Sequence, residues 1–133
     1  MAADVVFVVN QGLEITTDRL LDSPNGNQPQ WVAMGIGATP ATALDTDLET
    51  PGVDEARTVG VMTQVMTTTA DDTLQVVGTI TCLVGAKAIV ECALFSHLTS
   101  AAGFLYLRAT FDAINLQIND SIEFTIQVVY DQA

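Results

Sequence analysis

Residues 91–130 read ECALFSHLTSAAGFLYLRATFDAINLQINDSIEFTIQVVY, and taken two at a time they sort into strands. Leu105, Leu107, Ala109 and Phe111 share one parity, Ile114, Leu116 and Ile118 form a second run, and Ile122, Phe124, Ile126, Val128 and Tyr130 a third. Alternation with a period of two marks a strand that lays one face on a core, so the stretch predicts three half-buried strands. In the last run the intervening positions are Glu123, Thr125 and Gln127, which predicts a polar face turned to water or to a partner.

The same period continues upstream. RTVGVMTQVMTTT from Arg57, TLQVVGTITCLV from Thr73 and AIVECALFSHL from Ala88 are strand-like runs, separated by the turns ADD and GAK and followed by TSAAG. Nearer the start, QWVAMGIG (30–37) reads as a strand ending in glycines, and ATPATALDTDLETPGVDEA (38–56), with its two prolines, as an acidic connector loop. In VVNQGLEITTDRLLDSPNG, Asn10 is a candidate N-cap, Leu13, Thr17, Leu20 and Leu21 follow at helical spacing, and Ser-Pro-Asn-Gly is a stop. This predicts a short amphipathic helix; the β-branched Ile15, Thr16 and Thr17 favour a strand instead. The expected fold is mainly β, an antiparallel β-sandwich with one short N-terminal helix. At 133 residues the chain suits a single domain over 1–133: an N-terminal segment (1–37), the connector (38–56) and the main strands (57–133).

Charge narrows the function classes. Sixteen acidic residues against four basic ones give a formal net charge of -12, a field that repels nucleic-acid phosphates and anionic lipid heads. Neither nucleic acid nor membrane is an expected partner. No run approaches the roughly 18 apolar residues of a membrane span, and MAADVVFVVN lacks a basic n-region, which predicts a soluble product without a cleaved leader. Most of the acids are aspartates and Lys87 is the one lysine; such a surface suits very salty water, or is simply that of an acidic protein.

Chemistry-bearing residues are sparse. His97, the single histidine, falls at a strand end with the parity of Glu91, Ala93 and Phe95, so a catalytic triad has little to build on and no enzymatic role is expected. Cys82 and Cys92 sit on apolar parities as buried thiols; a hairpin closed by GAK places them diagonally, about 7–8 Å apart, beyond an unstrained disulfide. Asp45, Asp47 and Glu49, spaced by two, offer oxygens to a hard cation, with Asp54 and Glu55 close behind, but the loop lacks the order of an EF-hand and a solvated acidic loop is favoured. Gly35 and Gly37 make no phosphate loop, no cofactor is implied, and Asn119-Asp120-Ser121 fits a tight turn as well as a glycosylation sequon.

The phrases WVAMGIGATPATALDTDLE, AIVECALFS and GFLYLRATFDAINLQINDSIEFTIQVVY resemble a broad group of virion proteins of tailed bacteriophages and tailed archaeal viruses: capsid decoration (cement) proteins and the related β-modules of tail fibres. The resemblance runs over about residues 5 to 133 and rests on pattern and short phrases, not on catalytic signatures. It implies a β-sandwich, often a jelly roll, used as an assembly part. On that basis the chain is expected to be a decoration protein on the outer capsid surface, bound to the major capsid protein and to itself as a homotrimer. The alternative is a tail or fibre module that binds a host receptor, and a weaker one a carbohydrate-binding sandwich.

Parity also nominates surfaces. Thr73, Gln75, Thr79 and Thr81 form one polar row, and Glu123, Thr125 and Gln127 another. Phe104, Tyr106 and Arg108 alternate with Leu105 and Leu107, which predicts two aromatics and an arginine on an outer face, either covered by a second layer or the N-terminal helix, or used as a subunit interface. Trp31 joins them as an interface candidate. For the capsid contact itself, the N-terminal segment up to Gly37 or the loop from Ala38 to Ala56 is expected, as the stretches least committed to the core.

Overall fold

The computed structural model describes residues 3–24, 26–50, 55–99 and 104–130. Its elements follow in the order β1 (Val5–Val8), α1 (Asn10–Arg19), β2 (Trp31–Gly35), β3 (Thr58–Val59), β4 (Val61–Val65), β5 (Thr73–Thr81), β6 (Lys87–Phe95), β7 (Leu105–Leu116) and β8 (Ser121–Val129). They form two antiparallel sheets, β1-β7-β6-β2-β3 and β4-β5-β8. The inward row of the large sheet (Val32 and Met34, Cys92 and Leu94, Leu107 and Ala109) meets Val76 and Ile80 of β5 and Phe124 and Ile126 of β8 in one apolar cluster. Residues whose alternate side chains are apolar can bury only one face, and two such faces closed on each other make the expected sandwich. β4–β5 and β6–β7 are hairpins within a sheet, so the strand order differs from the sheet-to-sheet alternation of a regular jelly roll.

Three sequence expectations are corrected by the register. The expected strands 105–111 and 114–118 are one, β7, which runs unbroken to Leu116 and leaves Ile118 in the turn beyond: between Ile89↔Ile114 and Glu91↔Thr110, β6 advances two residues while β7 advances four. The extra residues flip the parity, so Phe111 and Ile114 both reach the core side without a turn between them. A second irregularity, between Leu94↔Leu107 and Phe95↔Leu105, turns Leu105 to the outer face with Phe95 while Leu107 stays inside. Finally, β5 and β6 lie in different sheets, so residues 82–86 carry the chain across the sandwich and the GAK hairpin with Cys82 opposite Val90 is not formed. Gly85 takes φ +66 in that crossing. Both cysteines are free and buried, and burial, with the Glu91 charge second, pushes the Cys92 thiol up to about 12.

At the N-terminus, β1 pairs with β7, a strand that the sequence reading did not assign. The helix is present, but its N-cap is Val9 and its buried residues are Gly12 and Ile15; Leu13, Leu20 and Leu21 are exposed. Gly12 decides the rotation. A Cβ there would run into the backbone carbonyl of Tyr106, so the bare glycine lets α1 lie directly on β7. Between the two later strands, Asn119 takes φ +74 and Asp120 accepts from the Gln117 amide, the tight-turn reading of that segment. The residues 51–54 of the connector, Asp54 included, and 100–103 of the TSAAG turn lie outside the described residues. No described helix is long and apolar enough to cross a membrane.

Candidate functional site

Arg108 occupies the outer parity of β7, as the sequence suggests, yet it is 2% exposed. Gly37 and residues 38–50 of the acidic connector lie over this face and bury it. Arg108 Nε donates to Glu91 Oε1 (2.9 Å), one terminal nitrogen to Asp45 Oδ2 (3.0 Å) and the other to the Thr39 carbonyl (2.9 Å). Glu91, fully buried, also accepts from the backbone amides of Gly37 (2.6 Å), Glu49 (2.9 Å) and Thr50 (3.0 Å). A buried charge is tolerated only when paired and hydrogen-bonded, and here one carboxylate and one guanidinium complete each other while pinning the loop. Burial works against the Arg108 charge, but its bonds and charge contacts with Asp45 and Glu91 outweigh that and raise its affinity for the proton. Beneath the loop, Leu48 joins Val9, Ala33, Ala93, Phe95 and Leu105 in a second small core.

This arrangement corrects the view of the connector as the stretch least committed to the core. It also dissolves the cation site. Asp45 is turned to Arg108 and to the Thr42 amide, Asp47 to the Leu48 amide and, at 3.8 Å, to Arg57, and Glu55 to Lys87 at 2.9 Å. No metal-holding group of three ligands occurs among the described residues. Asp45, Asp47 and Glu55 serve as internal counter-ions instead. The clue in the sequence was Glu91, an acid inside an otherwise apolar strand, on the same parity as Arg108 across a hairpin.

Tyr106, unlike Arg108, is not on the outer face; it is 2% exposed. The irregularity at Leu94/Phe95 makes it the extra residue of β7, and it turns inward beneath α1. Its hydroxyl meets those of Thr16 (3.3 Å) and Tyr130 (3.2 Å), and burial pushes it up to about 12. Of the four nominated residues, Phe104 is exposed and Trp31 half-buried at the margin of the second core. His97 lies just past β6; its carbonyl accepts from Arg57 (3.0 Å), whose guanidinium stands 3.3 Å over the Phe95 ring.

The outer face of the small sheet is built differently. Register places Val61, Thr63 and Val65 of β4, Gln75, Val77, Thr79 and Thr81 of β5, and Ser121, Glu123, Thr125, Gln127 and Val129 of β8 side by side. The two polar rows foreseen separately are thus neighbours, tied by Thr81–Ser121 (2.7 Å) and by the Gln127 amide donating to Gln75 (2.8 Å), but Thr73, expected on the outward row, is buried, its hydroxyl bonded to Thr67 and Asp72. Glu123 is its one charge. Most of these side chains are exposed, no described element covers them, and β4 and β8 are both edge strands. A nine-residue edge with a single charge leaves a row of backbone groups open to pairing.

Comparisons of the chain with protein-family models, with curated proteins and with solved structures found no match.

Proposed function

We propose that this chain is a structural assembly module whose contact surface is the outer face of β4-β5-β8. The observation that carries the proposal is a broad, exposed face with a single carboxylate on a chain of net charge -12. Copies that repel one another elsewhere approach at least electrostatic cost through such a face, and its hydroxyls and amides supply hydrogen bonds without desolvating charges. On the resemblance of its sequence phrases, the assembly is the head of a tailed virus, the chain a capsid decoration protein that stabilises the outer shell, and the copies a homotrimer on the major capsid protein. Within the trimer the small-sheet face joins the subunits. The N-terminal segment faces the shell, where Leu13, Leu20 and Leu21 of the helical region stand exposed; three weak grips acting together attach firmly.

A virion reconstruction with the chain traced tests this. Density on the outer head surface, with the small-sheet faces buried between three copies, is the expected result. A trace confined to the tail replaces decoration by the fibre alternative, and a trace that leaves the small-sheet face bare overturns its role.

A further inference from the structure

We infer that the cleft between the end of α1 and the start of β2 is a saccharide-binding site, with Trp31 as its stacking plane and Arg19 selecting sugars that carry a carboxylate. The cleft encloses about 390 Å³, within the roughly 300–1,000 Å³ of small-molecule sites. Its walls carry Arg19, Asn27, Gln28, Gln30, Trp31 and His97.

A sugar ring offers an apolar C–H face and a rim of hydroxyls, so its site needs an aromatic plane beside groups that both donate and accept. A half-buried indole supplies the first. Each of the three amide side chains supplies two donors and an acceptor, and none of them has a hydrogen-bond partner within the described structure. The His97 Nδ1 accepts from the Thr99 amide at 3.2 Å, so the neutral ring carries its proton on Nε2 and offers another donor.

The charge of this cleft sets it apart. The clefts between the two sheets, under the acidic connector and beside α1 contain Glu123, Asp47 with Glu55, and Glu14 with Asp18, respectively; the residues around Trp31 include no carboxylate. Arg57, Lys87 and Arg108 are each ion-paired, whereas Arg19 has no carboxylate partner among the described residues and donates to the Gly26 carbonyl at 3.0 Å. That leaves further guanidinium donors for a ligand carboxylate, which Arg binds in a two-pronged geometry. The walls are held in place before any ligand arrives: Gly26 N donates to Asp18 (2.9 Å), Gln30 N to the Gln28 carbonyl (3.0 Å) and Gly60 N to the Gln30 carbonyl (2.6 Å). In molar salt the Debye length shrinks to about 3 Å, so the distant carboxylates no longer repel an anionic sugar while these short contacts persist.

Trp31 is the only tryptophan, and its emission therefore reports on the cleft directly. Purified protein in 1 M salt is titrated with D-glucuronate and D-galacturonate, with D-glucose and D-galactose as neutral counterparts and sodium acetate as the bare carboxylate. The expected result is a saturable emission change with a uronate at millimolar concentration, weakened about fivefold or more for the neutral sugars and in Arg19→Gln, and weakened likewise in Gln30→Ala, each variant melting as the parent does. No saturable change with any sugar up to about 100 mM, or an equal change with acetate, overturns the site. Uronate binding that Arg19→Gln leaves untouched overturns the role of Arg19.

Discussion

On the outer face of the five-stranded sheet, Glu91 and Arg108 are buried beneath residues 37–50; on the outer face of the three-stranded sheet, Gln75, Thr79, Thr125 and Gln127 lie open and nearly without charge. The difference lies in where the chain places its few cations. Arg57, Lys87 and Arg108 pair with Asp47, Glu55 and Asp45 of the connector, so three of the four basic side chains neutralise the connector, the fourth, Arg19, stands at the end of α1, and none lies on the smaller sheet. A covered face is committed to stability, and an open face with a single charge costs little to keep and is free for contact.

Removing a partner from the covered face has the largest expected effect. Arg108→Met leaves the buried Glu91 carboxylate without its cation, and breaking a buried pair in this way costs about 3–5 kcal/mol, a large share of the 5–15 kcal/mol typical of a domain. Urea unfolding measures it; a loss below about 1 kcal/mol would mean that the covering rests on apolar contacts alone.

Acid probes the same face more gently. Asp45 and Glu55 lie in the connector, where burial opposes their charge but backbone amides and the cations Arg108 and Lys87 hold both carboxyls below their ordinary range. Asp72 is held low by the amides of Thr69 and Thr67. The unfolded chain therefore takes up protons first as pH falls, and the stability these groups contribute is complete above the ordinary carboxylate range and lost below it. In molar salt, where self-repulsion is screened, the melting temperature is expected to stay level from about pH 7 to 5 and to decline below about pH 4. A melting temperature that climbs on acidification would remove these carboxylates from the account.

On the open face the expected change in stability is the smallest, within about 0.5 kcal/mol for Thr125→Glu. The same substitution sets a second carboxylate beside Glu123, so light scattering is expected to show the trimer mass of the parent reduced to that of a monomer. A Thr125→Glu trimer would move the contact elsewhere, and a parent monomeric up to millimolar concentration would end the trimer proposal.

Much of this contrast was legible in residues 105–130, and the exceptions share a cause. Apart from the buried Thr73, the polar rows of β5 and β8 were readable because each strand keeps one parity and pairs without interruption from Thr73↔Val129 to Thr81↔Ser121. Tyr106 and the break after Phe111 were misread because parity counting assumes a regular ladder, and β7 carries extra residues at both places. The rotation of α1 was hidden in Gly12, whose significance is the absence of a side chain, against a carbonyl 94 positions further along the sequence. Connector and sheet could be joined only in three dimensions, since Asp45 and Arg108 come together from distant parts of the chain.

The pairing of β1 with β7, Val5 opposite Thr110, also governs how this protein comes into being. The edge strand β1 waits for a partner synthesised about a hundred residues after it, and Tyr106 completes its hydroxyl contacts only when Tyr130 has followed. Closure of such long loops must precede the reward of the contacts they enclose, so folding belongs to the slow, millisecond-to-second regime of β-rich topologies. Throughout that interval β5 and β8, which carry a single charge between them, are exposed to their counterparts on neighbouring nascent chains, and the mutual repulsion of the acidic remainder is what keeps those chains apart until each has closed.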